Sequence, residues 1–108
     1  MQRGDVWWVS FDPAVGGEIR KKRPAVIVSN NLANRFLNRV QVVPLTSNIE
    51  KLYPSEAYVT LNGTQSKALT DQLATVSKQR LSTQIGTLAE EDMRKVEQVI
   101  KVQLGLLT

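Results

Sequence analysis

Hydrophobic positions along the chain follow two rhythms. Up to about residue 80 they gather in short runs bounded by turn residues, as strands do; near the end they recur at spacings of three and four, as on a helix with one apolar face. Asp5–Phe11 (DVWWVSF) is aromatic and β-branched, stops at Asp12-Pro13, and predicts a first strand. Pro24 pushes Arg23 into an extended conformation and opens PAVIVSN, an unbroken apolar run suited to a central strand buried on both faces. Residues 32–38 are polar and long enough for one helical turn, and RVQVVPLT (39–46) alternates as a third strand, with Pro44 confining its last part to an edge or a bulge. Ala57–Leu61 and Leu69–Val76 predict shorter strands, with Asn62-Gly63 as the turn signal between them. From about Leu88 to Leu107, Met93, Val96, Ile100, Leu104 and Leu107 define the apolar stripe of one helix, and Thr87 with Glu90 fits a capping box at its start. The expectation is an α+β, mainly β fold: a small barrel of short strands with a C-terminal helix.

A chain of 108 residues with 42% hydrophobic content suits one domain spanning residues 1–108. Cysteine is absent, which excludes disulfides and thiolate metal sites and makes a reducing cytoplasm the expected compartment. The N-terminus runs straight into the first strand, without an apolar stretch long enough for a signal peptide or a membrane span. Histidine is absent too, so the usual general base near neutral pH and the commonest nitrogen ligand for metals are both missing. No metal or cofactor is expected, and any chemistry must use other groups.

The net charge of +4 is unevenly placed: residues 1–88 carry eleven Lys/Arg against six Asp/Glu, and residues 89–108 carry three against four. Four consecutive cations, Arg20, Lys21, Lys22 and Arg23, sit in a loop with two glycines and one acid, Glu18. Such a run is either a solvated charged loop or a surface for a polyanion, which relieves a repulsion that water only screens. Nucleic acid is the leading candidate partner. Arg23 differs from its neighbours because Pro24 fixes its backbone, and a fixed guanidinium can hold a phosphate as its charge grows in a transition state. Its alternative is an ordinary surface arginine. Thr46-Ser47-Asn48 is either a turn former or a set of hydroxyl and amide groups facing a substrate. Gln72, beside Asp71 in an apolar stretch, either reads a base edge or is a core amide with its hydrogen bonds met. Trp7 and Trp8 point to opposite faces, so one suits the core and the other an interface or a stacked RNA base.

Three groups of residues together resemble a known family. Gly4-Asp5-Val6-Trp7-Trp8-Val9 with Phe11-Asp12-Pro13, Gly16-Gly17-Glu18, and Arg23-Pro24-Ala25-Val26-Ile27-Val28-Ser29 is similar to the opening of the MazF/PemK toxins. Val42-Val43-Pro44-Leu45-Thr46-Ser47-Asn48 resembles their second signature, and Asp71-Gln72 through Lys78-Gln79-Arg80-Leu81 their third. The resemblance runs in order over essentially the whole chain. Many members have Gly-Ser-Glu-Gln where this chain has Gly16-Gly17-Glu18-Ile19.

What the resemblance implies is an SH3-like β-barrel with a C-terminal helix, a homodimer, and metal-independent, sequence-selective cleavage of single-stranded RNA. Attack by the 2′-hydroxyl would leave a cyclic phosphate and a free 5′-hydroxyl. By position, the family's catalytic arginine falls on Arg23, its catalytic threonine on Thr46, and an acidic residue implicated in some members on Glu18, which makes these three the expected catalytic set. The RNA-binding set is Arg20, Lys21, Lys22, Ser47, Asn48, Gln72, Lys78 and Arg80. A cognate MazE-like antitoxin is the expected partner, its acidic tail folding into the basic groove. Two other functions suit the same barrel: a poison of DNA gyrase, as in the CcdB relatives, and a nucleic-acid-binding module without catalysis.

Overall fold

The computed structural model describes residues 1–106. Its elements are β1 (Asp5–Ser10), β2 (Lys22–Ile27), α1 (Asn31–Phe36), β3 (Arg39–Thr46), β4 (Glu56–Leu61), β5 (Thr64–Leu69), β6 (Ala74–Ser77), β7 (Leu81–Thr87) and α2 (Glu90–Gln103), with single 3₁₀ turns at Thr70–Gln72 and Lys78–Arg80. The strands form one antiparallel sheet in the order β4-β5-β3-β2-β1-β7, and β6 lies alongside the first half of β3. The sheet curls until the tip of the β4–β5 hairpin reaches β7, where the Asn62 side-chain amide donates to the Ile85 carbonyl at 2.8 Å. Gly86 makes that approach feasible, since a Cβ there would lie 2.8 Å from Leu61 Cδ1. The result is the expected small, mainly β fold with a C-terminal helix.

Both faces of β2 and β3 are covered, as the run PAVIVSN predicts. Val26, Val28, Val43 and Leu45 face inward onto Val6, Val59 and the α2 residues Met93 and Val96, while Ala25, Ile27, Val40 and Val42 pack on the other side with Val9, Val76 and Leu81. Asp92 fastens α2 to the sheet, its Oδ2 accepting from the Thr60 N–H at 2.8 Å. Arg3 ties the chain's start to the same helix through Glu97 at 2.6 Å.

Four local expectations change. The Asn62-Gly63 turn, with φ of 51° and 80°, leads directly into β5, and Leu69–Val76 is not one strand but the end of β5, a 3₁₀ turn and the start of β6. Such a pair of left-handed residues makes a two-residue hairpin, which leaves no room for the connection expected there. Pro44 lies in an interior strand rather than at an edge or bulge, at the point where β3 exchanges β6 for β5 as its neighbour. No capping box forms, because Thr87 is still paired with Asp5 in the sheet and Ala89 is the N-cap; Glu90, Glu91 and Asp92 in the first turn supply the favourable negative charge instead. The helix ends at Gln103, where Gly105 at φ 71° closes a Schellman motif: Leu106 N–H donates to the Lys101 carbonyl and Gly105 N–H to that of Val102. Leu104 is therefore exposed, and Leu107 lies outside the described residues.

Replacing Asp92 with alanine strands the Thr60 N–H and is expected to lower unfolding free energy by about 1.5–3 kcal/mol, the range for a bond to a charged acceptor. Lys95→Ala removes only a half-exposed ion pair with the same carboxylate and is expected to change it by less than about 1 kcal/mol. Urea denaturation of the two variants checks both, and equal losses would contradict the role given to Asp92.

Candidate functional site

The pairing of β2 with β3 sets up the site. Ala25 pairs with Pro44, Val26 with Val43 and Ile27 with Val42; beyond that ladder Arg23 pairs with Val9 on β1 and Thr46 with Lys67 on β5. Arg23 and Thr46 are half-buried, and they line one cavity of about 290 Å³ together with Trp8, Lys22, Pro24, Leu45, Ser47 and Ser66. Of the two tryptophans, Trp7 packs against the core cluster on the far side of β2 and β3, while Trp8 is 37% exposed at this cavity. Arg23 Nε donates to the Arg20 carbonyl at 3.2 Å, which leaves the two terminal nitrogens of the guanidinium as its anion-binding fork. The Thr46 hydroxyl oxygen accepts from the Asn48 N–H at 3.2 Å, so its own proton is available to a substrate oxygen. Asn48 Oδ1 in turn accepts from the Glu50 N–H at 3.4 Å. Thr46-Ser47-Asn48 is thus a turn former and a cavity wall at once.

The basic loop is fastened at several points. The Lys21 N–H donates to Asp12 Oδ1 at 2.9 Å and the Phe11 N–H to the Lys21 carbonyl at 2.8 Å, with Lys21 itself at φ 65°. Gln72 holds the loop's crown: its Oε1 accepts from the Ile19 N–H at 3.1 Å and its Nε2 donates to the Gly17 carbonyl at 3.2 Å. Arg80 Nη1 donates to the carbonyls of Ser10 at 3.0 Å and Asp12 at 2.6 Å, and Lys78 Nζ to that of Asn34 at 2.5 Å. In this state Gln72, Lys78 and Arg80 serve the protein's own backbone. Glu18 is exposed and accepts from the Val15 N–H at 2.9 Å; it lines a second cavity, of about 370 Å³, with Phe11, Asp71, Gln72 and Arg80, and not the one that holds Arg23 and Thr46.

Arg20, Lys21 and Lys22 are exposed, and among the described residues none of the four loop cations enters an ion pair. These cations are left without a carboxylate at ion-pair distance, as suits a surface for a polyanion. No cluster of three or more His, Cys, Asp or Glu is placed to hold a metal ion among those residues. Ser66 and Leu45 complete the cavity without having been singled out from sequence; Ser66 lies on β5, whose composition (TQSKAL) carries no strand signal before its partner strand is known.

A curled antiparallel sheet with a C-terminal helix, carrying a recess lined by Arg23 and Thr46 beside a run of cations, places the chain by class among small, mainly β proteins with a basic surface site. Residues 2–104 match the family model of the PemK-like, MazF-like toxin of type II toxin–antitoxin systems. The chain is 37% identical to the endoribonuclease MazF9 of Mycobacterium tuberculosis, over 98% of each chain, and 31% identical to the endoribonuclease EndoA of Bacillus subtilis, over 99% of this chain and 97% of that one. Its fold is similar to that of MazF from Deinococcus radiodurans (TM-score 0.86, 24% identity, 97% and 96% of the two chains) and of a mycobacterial endoribonuclease in complex with its cognate antitoxin (TM-score 0.84, 24% identity, 100% and 98%). The chain belongs to the PemK/MazF toxin family.

Gln72→Ala removes both bonds that hold the loop's crown. Trypsin cleavage within Arg20–Arg23 is expected to rise by roughly tenfold or more, the effect of losing two hydrogen bonds of about 1 kcal/mol each from a local opening equilibrium. Unchanged cleavage kinetics would contradict the tether.

Proposed function

We propose that the chain is a toxin-family endoribonuclease that cleaves single-stranded RNA at the Arg23–Thr46 cavity. The observation that supports this reading is that Arg23, whose backbone Pro24 restrains, and Thr46 line one recess with Lys22 and the partly exposed Trp8. The names of the MazF9 and EndoA relatives support the same activity, and favour it over gyrase poisoning or binding without catalysis. The ribose 2′-hydroxyl attacks the adjacent phosphorus, forming the 2′,3′-cyclic phosphate and expelling the 5′-oxygen, which takes up a proton. Arg23, too weak an acid to act as a base, stabilises the pentavalent phosphorane; Thr46 donates to a phosphate oxygen. Glu18 takes the 2′-hydroxyl proton, a role that requires its carboxylate to leave the Val15 N–H and reach the Arg23 cavity when RNA binds. Arg20, Lys21 and Lys22 contact flanking phosphates, and Ser47 and Asn48 the nucleotide at the cut. Gln72 reaches RNA by giving up its bonds to the loop backbone, while Lys78 and Arg80, which bond the backbone through Nζ and Nη1, keep further N–H donors for phosphates.

The same proposal covers one toxin domain over residues 1–108, acting as a homodimer in the cytoplasm under a cognate MazE-like antitoxin. Support for the last comes from the mycobacterial structure, solved with its cognate antitoxin. Among the described residues no helix is long and apolar enough to cross a membrane.

Arg23→Ala is expected to keep the fold and lose roughly 10²-fold or more in cleavage rate, the scale for one preorganised stabiliser. Near-wild-type cleavage of a long RNA by a folded variant would remove Arg23 from the site. A single 2′-deoxynucleotide at the mapped cut is expected to abolish cleavage there, and cleavage is expected to survive EDTA. Cutting at the deoxy position, or loss of activity with chelator, would each overturn the mechanism.

A further inference from the structure

Ser47, which lines the cavity beside Thr46, begins a stretch without regular structure, residues 47–55, that leaves β3 and returns into β4. It crosses a row of three side chains on neighbouring strands: Thr46 on β3 pairs with Lys67 on β5, which pairs with Tyr58 on β4. Directly opposed residues of an antiparallel sheet share a face. Each member of this row bonds the backbone of the stretch: Thr46 Oγ1 accepts from the Asn48 N–H at 3.2 Å, the Tyr58 hydroxyl donates to the Ile49 carbonyl at 2.9 Å, and Lys67 Nζ donates to the Lys51 carbonyl at 2.6 Å. The stretch is an arch, and the row is its set of props.

Lys67 is the central prop and the unusual one. It is 6% exposed, and its ammonium forms an ion pair with Glu56 Oε1 at 2.9 Å. Glu56 Oε1 also accepts from the Tyr53 N–H at 3.0 Å, and the Tyr53 ring centroid lies 5.7 Å from the ammonium. A buried ion pair is a poor source of stability beside apolar side chains of equal volume. Its donors and acceptors have fixed directions, however, and here all of them point at the arch.

We propose that Lys67 and Glu56 are a positioning pair for the cleavage reaction. By holding the arch at Lys51 and Tyr53 they keep Asn48 on the Thr46 hydroxyl oxygen, so that the hydroxyl proton is directed into the Arg23 cavity. The proposal rests on the assignment of Thr46 to the phosphate, and it extends the site to two residues that do not touch substrate. Misplacement of a reacting group by a remote change is costly to the chemical step and nearly neutral to binding, so the pair acts on kcat more than on KM.

The test uses Lys67→Met, which keeps the apolar stem, and the double variant Lys67→Met/Glu56→Gln, which leaves no unpaired buried charge and keeps an acceptor for Tyr53. Amide hydrogen exchange over residues 47–53 is expected to accelerate by about tenfold in both, with α2 and β2 unchanged, as for one lost hydrogen bond to a charged donor. In the cleavage assay kcat is expected to fall by about tenfold with KM within about threefold, and to stay low in the double variant even where its melting temperature returns to that of the parent. Exchange unchanged in the arch overturns the proposal whatever the protein cleaves. Activity that recovers together with stability in the double variant also overturns it, since the pair would then only stabilise the fold. If the parent chain cuts no RNA, the nuclease reading fails and with it the catalytic half of this proposal, while the exchange result still decides whether the pair holds the arch.

Discussion

Antiparallel pairing of β2 with β3 is the contact on which the rest of the molecule depends. It buries apolar side chains on both faces of the two strands, so that one pair of strands belongs to two cores at once. A slip of one residue would send every inward valine to the opposite face. The same pairing brings the ends of the two strands together, where Arg23 and Thr46 line one recess. Packing and the proposed chemistry therefore share one constraint.

Around that pairing, the walls of the site are irregular segments held by side chains from elsewhere in the chain. Gln72 and Arg80 fasten the basic loop after β1, and Lys67, Glu56 and Tyr58 fasten the arch after β3. Backbone outside helices and strands needs such partners wherever it is not fully solvated. One consequence bears on RNA binding: Gln72, Lys78 and Arg80 already bond the protein's own backbone. Engaging Gln72 with a nucleotide means exchanging internal hydrogen bonds for external ones, which gives little net affinity, whereas Lys78 and Arg80 keep unused donors beside the bonds that fix them. Among the described residues the side chains of Lys21 and Lys22 make no such bond, and Arg20 makes one long one, from Nη2 to the Gly16 carbonyl at 3.4 Å.

Much of this was legible in the chain itself. The doubly buried β2 follows from an unbroken apolar run after a proline, and the final helix from its three-and-four spacing. Arg23 stood out because Pro24 constrains it, and Thr46 because it ends an alternating strand. What the sequence hid has physical causes. β5 is polar on paper because Lys67 and Ser66 interrupt it, and only the Glu56 partner, remote in sequence, makes burying that lysine feasible. The start of α2 is displaced from the Thr87–Glu90 pattern because pairing with β1 claims Thr87 first. Gly105 does signal the helix end, but its left-handed conformation competes with an apolar rhythm that runs on past it. The placement of Glu18 in a separate cavity depends on a loop crown set by Gln72, a contact that no local pattern encodes.

The account's central claim is that Arg23 and Thr46 act on one phosphate. A double-mutant cycle in RNA cleavage tests it most directly, with Arg23→Ala, Thr46→Ala and the pair compared under single-turnover conditions. Groups that serve the same transition state lose their effects together, so the double variant is expected to be scarcely slower than the worse single one. Losses that multiply as for two independent sites would contradict it.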